Sequence, residues 1–369
     1  MAATSLRARR WRNFKANRRS FWSLWIFLVI FAVSLVAEFV ANDRPIVLSY
    51  KGELYFPVLG KPYEETVFGG DPGILANFTD RTVQCLIRAG GAEACFDDPD
   101  AVYEDAADGV IGGEPVEPGW MIWPPIRYSY NTINYEVLQA PSAPDADHWL
   151  GTDDQTRDVV ARIIYGFRIS ILFAIVVTFI SSVIGVAAGA LQGYFGGWLD
   201  LIFQRLIEIW GSTPSLYVII ILAAIIPMNF TILSALIIAF SWTALVGVVR
   251  AEFLRARNFE YVRAARALGV SDLAIMFRHV LPNAMVATVT FLPFLITGSI
   301  GGLAALDFLG FGLPPSYPSL GELALQGKNR LNAPWLGFSA FFTFAIMLSL
   351  LVFIFEGVRD AFDPRKTFR

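Results

Sequence analysis

Long apolar runs alternate with polar segments along the chain, and this pattern predicts most of its structure. A helix of roughly 20 apolar residues crosses the ~30 Å hydrocarbon core of a bilayer. Six runs approach or exceed that length, at 21–41, 169–193, 199–227, 230–249, 284–306 and 335–355. The sequence therefore predicts an all-α membrane protein with about six transmembrane helices, the last five of which form a core over 161–358.

The stretch 42–160, which follows the first run, has a different character. It is rich in Gly, Pro, Asp, Tyr and Trp, and hydrophobic and polar residues alternate within 45–56. Alternation of this kind indicates strands, and Lys51-Gly52 and 69–72 have the composition of turns. We expect a small β-rich, largely irregular domain inserted after the first helix.

Charge is distributed unevenly and indicates how the chain is oriented in the membrane. Residues 1–20 contain seven Lys and Arg and no acidic residue, whereas 42–168 contain 21 acidic residues against nine basic ones. The segment 250–283 has six Arg, and the tail 359–369 is basic again. Lys and Arg near membrane helices mark the cytoplasmic side. Both tails and the Arg-rich loop are therefore predicted to be cytoplasmic and the acidic domain extracytoplasmic, and the basic residues indicate membrane topology rather than a nucleic-acid partner.

The two cysteines, Cys85 and Cys95, both lie in the acidic domain. Disulfides form and persist outside the cytoplasm, so the predicted topology favours a disulfide between them. A metal site is the alternative, but no Cys-x-x-Cys pair or neighbouring His supports it. We therefore expect no metal in this chain.

The run at 199–227 contains two charged residues, Arg205 and Glu208, as well as Pro214. A charge at the centre of a membrane helix costs about 2.5–3.5 kcal/mol, so we expect this pair near the cytoplasmic end of the span, where i, i+3 spacing lets the two side chains meet. The pair either stabilises the membrane interface or lines the mouth of a pore. Polar residues in the other spans leave the same choice between helix packing and a pore: Thr178, Ser181, Ser182, Ser241 and Thr243.

Residues 260–283 lie between two spans, and their pattern predicts two short helices joined by a turn. Gly269 occupies a position at which helices often end in a left-handed residue. Ser271 is a suitable N-cap for the second helix, with Asp272 in its first turn, and Pro282 is expected to end that helix. Such a rigid unit can transmit movement to the two spans, although an amphipathic loop on the membrane surface has the same pattern.

Each of these two helices has an apolar stripe at the i, i+3, i+4, i+7 spacing. The first stripe comprises Tyr261, Ala264, Ala265 and Leu268. The second comprises Leu273, Met276, Phe277 and Val280. The paired alanines would let a partner surface approach closely, and the neighbouring arginines would supply a polar rim.

The segment resembles the EAA loop of bacterial ABC importer permeases, whose pattern is E-A-A-x-x-x-G-x9-I-x-L-P. Five positions match with the full spacing: Ala264, Ala265, Gly269, Leu281 and Pro282. Arg263 stands at the Glu position of this pattern and His279 at the Ile position. Both replacements resemble the sequences of the peptide-importer branch of the family. In that family the loop docks into a groove on the ATP-hydrolysing subunit. The resemblance implies that 251–283 is a cytoplasmic coupling loop whose contact residues are Glu260, Tyr261, Arg263, Ala264, Ala265, Arg266, Leu268, Gly269, Val270, Arg278, His279, Leu281 and Pro282.

Three further motifs resemble the same branch and occur in the same order along the chain. Residues 150–158 are similar to L-G-T-D-x-x-G-R-D, with Thr156 in place of the second Gly. Residues 308–321 are similar to F-L-G-L-G-x-x-P-P-x-P-S-W-G, with Leu320 in place of Trp, and 357–364 resemble the C-terminal ending of the family. The start of the acidic domain, with Asn-Asp-Arg-Pro at 42–45, resembles the Yej-type peptide importers, which are associated with oligopeptides and peptide–nucleotide antibiotics.

The resemblance implies a type I ABC importer permease fold in the bacterial inner membrane and a role in peptide import. The implied partners are a homologous second permease, ABC ATPase subunits and an extracytoplasmic peptide-binding protein, in addition to membrane lipid. The chain has no G-x-x-x-x-G-K-[ST] loop, which is the sequence that cradles nucleotide phosphates. We therefore expect no enzymatic activity and no cofactor in this chain, with ATP and Mg²⁺ bound by the partner ATPase.

Two other classes of protein were weighed against the permease. An ion-coupled secondary transporter would place ionisable groups near the bilayer midplane, and the runs at 169–193, 230–249 and 284–306 contain none. An intramembrane enzyme would need a nucleophile and a base, or a metal set, within the spans, and neither His148 nor His279 lies in one. The permease is the prediction, and the ion-coupled transporter is the alternative.

Overall fold

The computed structural model describes residues 6–111 and 114–362. The expected C-terminal cations Arg365, Lys366 and Arg369, like Asp363 and Pro364 of the last motif, lie outside these ranges. The chain divides into two compact units, of which one comprises Ala32–Tyr165 and the other the residues before and after it. Residues Ala32–Tyr165 are called the outer unit below, and the residues before and after them are called the membrane unit.

The described residues form helices in the following order. They are α1 (Leu6–Ala16), α2 (Arg18–Leu35), α3 (Arg81–Arg88), α4 (Pro99–Asp105), α5 (Val159–Phe195), α6 (Gly197–Ser212), α7 (Ser215–Ala223), α8 (Phe230–Ser241), α9 (Thr243–Ala256), α10 (Glu260–Ala267), α11 (Asp272–Ile275), α12 (Leu281–Phe308), α13 (Leu320–Asn329) and α14 (Pro334–Phe362). A π-helical segment, Met276–Val280, joins α11 to α12.

Five helical segments of the described chain are long and apolar enough to cross a membrane. They are Arg18–Leu35, Val159–Phe195, Phe230–Ala256, Asp272–Phe308 and Pro334–Phe362. The pair α6 and α7 passes the same test only when its two helices are taken together, and it then makes a sixth span. The all-α membrane fold with about six transmembrane helices is thereby confirmed.

The structure differs from the expected boundaries in several places. The run at 199–227 is not one helix, because α6 and α7 are bent by 62° relative to each other. Pro214 causes the break, since it has no N–H to donate and forces Thr213 before it into an extended conformation. The anchor expected at 21–41 is shorter at its C-terminal end, where α2 ends at Leu35 and is followed by the 3-10 turn Ala37–Phe39. Within the basic tail expected over 1–20, Leu6–Ala16 form the helix α1, for which no conformation was predicted.

Close contact between α5 and α9 holds the centre of the membrane unit together. Gly185, Gly189 and Gly193 repeat at every fourth residue of α5, and a Cβ at Gly189 would lie only 2.7 Å from the carbonyl oxygen of Val246. Small residues at this spacing let two backbones approach closely. Beside them, the Ser181 and Ser241 hydroxyls are 2.6 Å apart, so this pair of polar residues links α5 to α8.

The basic N-terminal helix α1 packs against the end of α14. Phe14 is buried, and a Cβ at Gly357 would collide with Ser20 and approach the Phe14 ring to 2.9 Å. The Arg10 guanidinium lies 4.2 Å from the centre of the Phe362 ring. The two ends of the membrane unit are therefore joined to each other through α1.

The outer unit contains a three-stranded antiparallel sheet in the order β2-β1-β5, formed by β1 (Val47–Tyr50), β2 (Glu53–Tyr55) and β5 (Trp120–Ile122). Two shorter strands, β3 (Val110–Ile111) and β4 (Glu114–Pro115), pair with each other. The β1–β2 hairpin turns at Lys51 and Gly52, which both have positive φ, as a two-residue hairpin turn requires. The helices α3 and α4 were not expected in this domain, and each has an Asp side chain as its N-cap.

A disulfide joins Cys85 of α3 to Cys95, which is the pairing that the sequence predicts. Both residues are completely buried, together with Leu86, Ala89 and Ala106. The bond closes a loop over a sequence separation of 10. It therefore stabilises the helical part of the outer unit, which lies between β2 and β5 in sequence.

Candidate coupling site

Charged residues and a capping motif stabilise the two ends of helix α10. Glu260 lies in its first turn and Arg266 in its last, where each charge complements the helix dipole. After Ala267 the chain turns at Gly269, which has φ +79°. The N–H of Val270 donates to the Ala265 carbonyl at 3.1 Å, and that of Gly269 to the Arg266 carbonyl at 3.0 Å. This pair of bonds is a Schellman motif, so the predicted left-handed glycine ends the helix.

The second helix begins at Asp272, with Ser271 at the N-cap position as expected, although the Ser271 side chain makes no capping hydrogen bond. The helix does not end at Pro282. From Asp272 the chain stays helical through the π-helical segment and α12 as far as Phe308. In a regular α-helix the proline ring would meet the carbonyl four residues earlier. The wider π turn just before α12 makes room for the ring. Residues 260–283 are called the coupling segment here. The coupling segment therefore continues directly into a transmembrane helix instead of being joined to it by a loop.

The buried faces of these helices differ from the predicted stripes. In α10 it is Val262 and Ala265 that are buried, while Tyr261 and Leu268 are exposed. In the next helix Met276 and Val280 are buried as part of the predicted stripe, and Ile275 joins them. Leu273 and Phe277, the other two stripe residues, are more than half exposed. The buried faces differ from the predicted stripes because the buried residues pack on α5 and α9 of the same chain. Tyr194, Val249 and Phe253 belong to the same buried cluster.

The residues expected to contact the ATPase fall into three groups by exposure. Ala265 is buried within the chain, so the two alanines are not available together to a partner. Val270, His279 and Leu281 are half-buried. The others form an exposed surface, called the coupling surface here: Glu260, Tyr261, Arg263, Ala264, Arg266, Leu268, Gly269, Arg278 and Pro282.

Tyr194, near the end of α5, fixes the coupling segment to that helix. Its hydroxyl donates to the Asp272 carboxylate at 2.5 Å and accepts from the Arg266 guanidinium at 3.1 Å. The hydrogen bond to Tyr194 raises the pKa of Arg266 above its ordinary value, so this side chain stays cationic. One hydroxyl thus connects α10, the start of α11 and α5.

Sequence reasoning did not find Tyr194. The available signal was a tyrosine at the end of an apolar run, where aromatic side chains with a polar group are common. A second hydrogen bond nearby connects the end of α9 to α5, because Arg257 donates to the carbonyl oxygen of Tyr194 at 3.4 Å. Arg257, Arg266 and Ser271 also line a surface cavity of 580 Å³ together with Tyr194. Asp272 also lines this cavity, so its wall carries two guanidinium groups and one carboxylate.

The motif at 150–158 has a structural role in the outer unit. Asp153 and Arg157 form a buried ion pair with an N–O distance of 2.6 Å. Asp158 accepts from the Ala161 N–H at 2.8 Å, which caps the start of α5, and its other oxygen lies 2.9 Å from Nδ1 of His148. Thr156, which replaces the usual glycine, has φ +60°, so this position has the left-handed conformation that glycine favours.

The motif at 308–321 is folded around Asp307 at the end of α12. The Asp307 carboxylate accepts from the Leu313 N–H at 2.7 Å and from the Ser319 hydroxyl at 2.5 Å. Ser319 in turn caps α13 by accepting from the N–H groups of Gly321 and Glu322. This motif therefore builds the turn between α12 and α13. Among the described residues no group of three His, Cys, Asp or Glu side chains could hold a metal ion.

Five long apolar helices, a broken pair and an exposed helix–turn–helix continuous with one span define a multi-pass membrane permease. The chain belongs to the family of binding-protein-dependent transport system inner membrane components, whose model matches residues 181–368. Residues 5–52 also match the N-terminal transmembrane domain of oligopeptide transport permease C. The protein is therefore a permease subunit of an ABC importer in the inner membrane, and the ion-coupled alternative has no support.

Full-length relatives support the same conclusion. The chain is 55% identical to the peptidoglycan transport system permease protein YejE of Agrobacterium fabrum, over 98% of this chain and 93% of the relative. It is 52% identical to the inner membrane ABC transporter permease protein YejE of Escherichia coli, over 97% and 96%. It is 36% identical to the oligopeptide transport system permease protein OppC of Bacillus subtilis, over 65% and 78%. The predicted resemblance to the Yej-type permeases is confirmed.

Proposed function

We propose that this chain is one half of the membrane pore of a peptide importer and that the coupling surface receives the movement of a partner ATPase. The observation that carries the proposal is the continuity of the coupling segment with α12, together with its attachment to α5 through Tyr194. A push on α10 reaches two transmembrane helices without passing through a flexible loop. Coupling between distant sites requires such a physically connected element with two arrangements.

The proposed assembly contains this chain, a homologous second permease, two ATPase domains and an extracytoplasmic peptide-binding protein. ATP and Mg²⁺ bind to the ATPases, and this chain itself catalyses no reaction. The coupling surface and both termini face the cytoplasm, because their segments are rich in Arg and Lys. The outer unit, with its acidic composition and its disulfide, lies on the opposite side.

The proposed substrates are peptides. Relatives of this chain are named for oligopeptide and peptidoglycan transport, and peptides and peptide-bearing fragments of peptidoglycan share the peptide main chain. A permease that accepts both must recognise that main chain and tolerate varied side chains. The substrate class is therefore defined by peptide bonds and charged termini rather than by one side chain.

Reconstitution tests this proposal. The complex is purified in mild detergent through a tag on this chain, its other subunits are identified, and it is placed in liposomes with an energy source inside or outside. We expect an ATPase and a second permease to co-purify and labelled peptides to accumulate only with ATP. Accumulation driven by a proton or sodium gradient without ATP would contradict the proposal and favour an ion-coupled carrier.

A further inference from the structure

One face of α6 is anchored to the rest of the membrane unit. Asp200 forms a two-fold ion pair with Arg250 of α9, with N–O distances of 2.6 and 2.7 Å. Gln204 donates to Gln192 of α5 at 2.8 Å, and the Trp210 indole donates to the carbonyl oxygen of Ala239 at 2.7 Å. These contacts fix how α6 is rotated about its axis.

A different face of α6 carries the ion pair of Arg205 and Glu208. At 3.6 residues per turn, Arg205 lies about 140° around the helix from Asp200, and Glu208 about 80°. The two side chains are 2.5 Å apart, and they are 79% and 57% exposed. From Gly197 they lie about 12 and 16 Å along the helix, so they are deeper in a span of this length than the interfacial position that the sequence suggested. Contact with lipid chains would leave both charges in hydrocarbon, which is strongly unfavourable.

The break after α6 supports the same conclusion. Non-helical backbone at membrane depth is tolerated only where protein covers it or where it lines a water-filled cavity. In α6 only Asp200 is buried, and in α7 only Ile219, so the described part of this chain does not cover the break. Transporters often form substrate sites at interrupted membrane helices of this kind.

We propose that the face of α6 with Arg205 and Glu208 lines the translocation pathway and binds the charged termini of a peptide in transit. The inference rests on the proposed function. A carboxylate at Glu208 complements a peptide ammonium group, and the planar guanidinium of Arg205 binds a peptide carboxylate through two parallel hydrogen bonds. In the absence of peptide the two residues satisfy each other. The exposed apolar neighbours Leu201 and Ile209 provide a surface without preference for one side chain.

Selectivity measurements in the reconstituted complex test this inference. Uptake of a peptide with free termini is compared with uptake of its N-acetylated and C-amidated forms for Arg205→Gln and Glu208→Gln. We expect Glu208→Gln to reduce the preference for a free amino terminus by about tenfold, as the loss of one charge-assisted hydrogen bond predicts, and Arg205→Gln to do the same for the free carboxyl terminus. Arg81→Gln and Asp100→Asn are the controls, because they break an exposed ion pair with an N–O distance of 2.8 Å in the outer unit, away from α6 and from the coupling surface.

Thiol labelling tests the same face without relying on transport. A charged, membrane-impermeant reagent should modify Glu208→Cys in the assembled complex, and bound peptide should slow the reaction. Phe342→Cys, at an exposed apolar position of α14, should not react. Unreactive Glu208→Cys, unchanged selectivity in both Gln variants, or loss of the second permease from Glu208→Gln would each overturn the inference. If the wild-type complex took up no peptide, the proposed function would fail, and the labelling would still decide whether the face is in contact with water.

Discussion

The turn between α10 and α11 depends on one residue. Gly269 is in the left-handed region, and nothing lies within 4 Å of the position that its Cβ would occupy. The cost of a side chain there is therefore conformational, on the order of 1 kcal/mol or more. We predict that Gly269→Asp still assembles with the second permease but loses peptide uptake and peptide-stimulated ATP hydrolysis together, because both depend on the coupling surface.

Gly298→Ala is the control for this prediction. Gly298 lies in α12, has an ordinary φ and also has open space around its Cβ position, so we expect wild-type uptake. Normal uptake by Gly269→Asp at normal expression would show that the segment is only a surface helix. Uptake and ATP hydrolysis are measured in the same liposomes so that the two losses can be compared directly.

Tyr194 is the second residue on which coupling depends. Tyr194→Phe keeps the buried ring and removes the hydroxyl that joins Arg266 and Asp272, at a cost of about 1 kcal/mol. We predict that the variant hydrolyses several times more ATP for each peptide imported, since the coupling segment moves with less effect on α5. Tyr103→Phe in the outer unit should leave this ratio unchanged. Equal ratios for all three proteins would mean that the hydroxyl serves stability alone.

At the scale of the helices, the α5–α9 contact has no room for added volume. Gly189→Val would place a branched side chain where even a Cβ is 2.7 Å from a carbonyl oxygen and 2.9 Å from Val249. We predict a loss of stability of about 2 kcal/mol or more, seen as a lower midpoint of thermal unfolding in detergent. Gly247→Ala, where nothing lies within 4 Å, should leave the midpoint near that of the wild type.

The helices themselves could largely be predicted, because a bilayer demands long apolar runs. Their ends could not. A proline indicates the end of a helix, and α6 does end just before Pro214. Pro282 ends no helix, because the π-helical segment before it makes room for the proline ring. The buried side of α10 also could not be predicted, since Val262 and Ala265 face α5 and α9, which are distant in sequence. Gly269 could be predicted because its role depends only on the local backbone.

At the scale of the whole molecule, the proposed orientation can be tested by labelling. A charged thiol reagent should modify Asp145→Cys in intact cells from which the outer membrane has been removed, because the residue is exposed in the outer unit. Leu268→Cys, which is 83% exposed, should react only after the inner membrane is made permeable. The reverse result would invert the proposed topology, and ATPase docking at the coupling surface would then be impossible.

The disulfide gives a second prediction about the whole molecule. Replacing both Cys85 and Cys95 by Ser removes a constraint on the unfolded chain that is worth about 2–3 kcal/mol for a loop of this length. We expect the outer unit to unfold at a lower temperature and to be cleaved faster by protease, while ATP hydrolysis by the complex is unchanged. Free thiols at both positions in protein from an oxidising compartment would contradict the pairing.

The continuous helical stretch from Asp272 to Phe308, which includes the π-helical segment, has a mechanical consequence. It has 37 residues and is therefore about 55 Å long, with one end in the coupling segment and the other beside the turn held by Asp307. A rod of that length that tilts by about 5° about one end carries its far end about 5 Å sideways. If it pivots near its middle, the two ends swing in opposite directions. One tilting movement of this helix would then close one end of the pore and open the other.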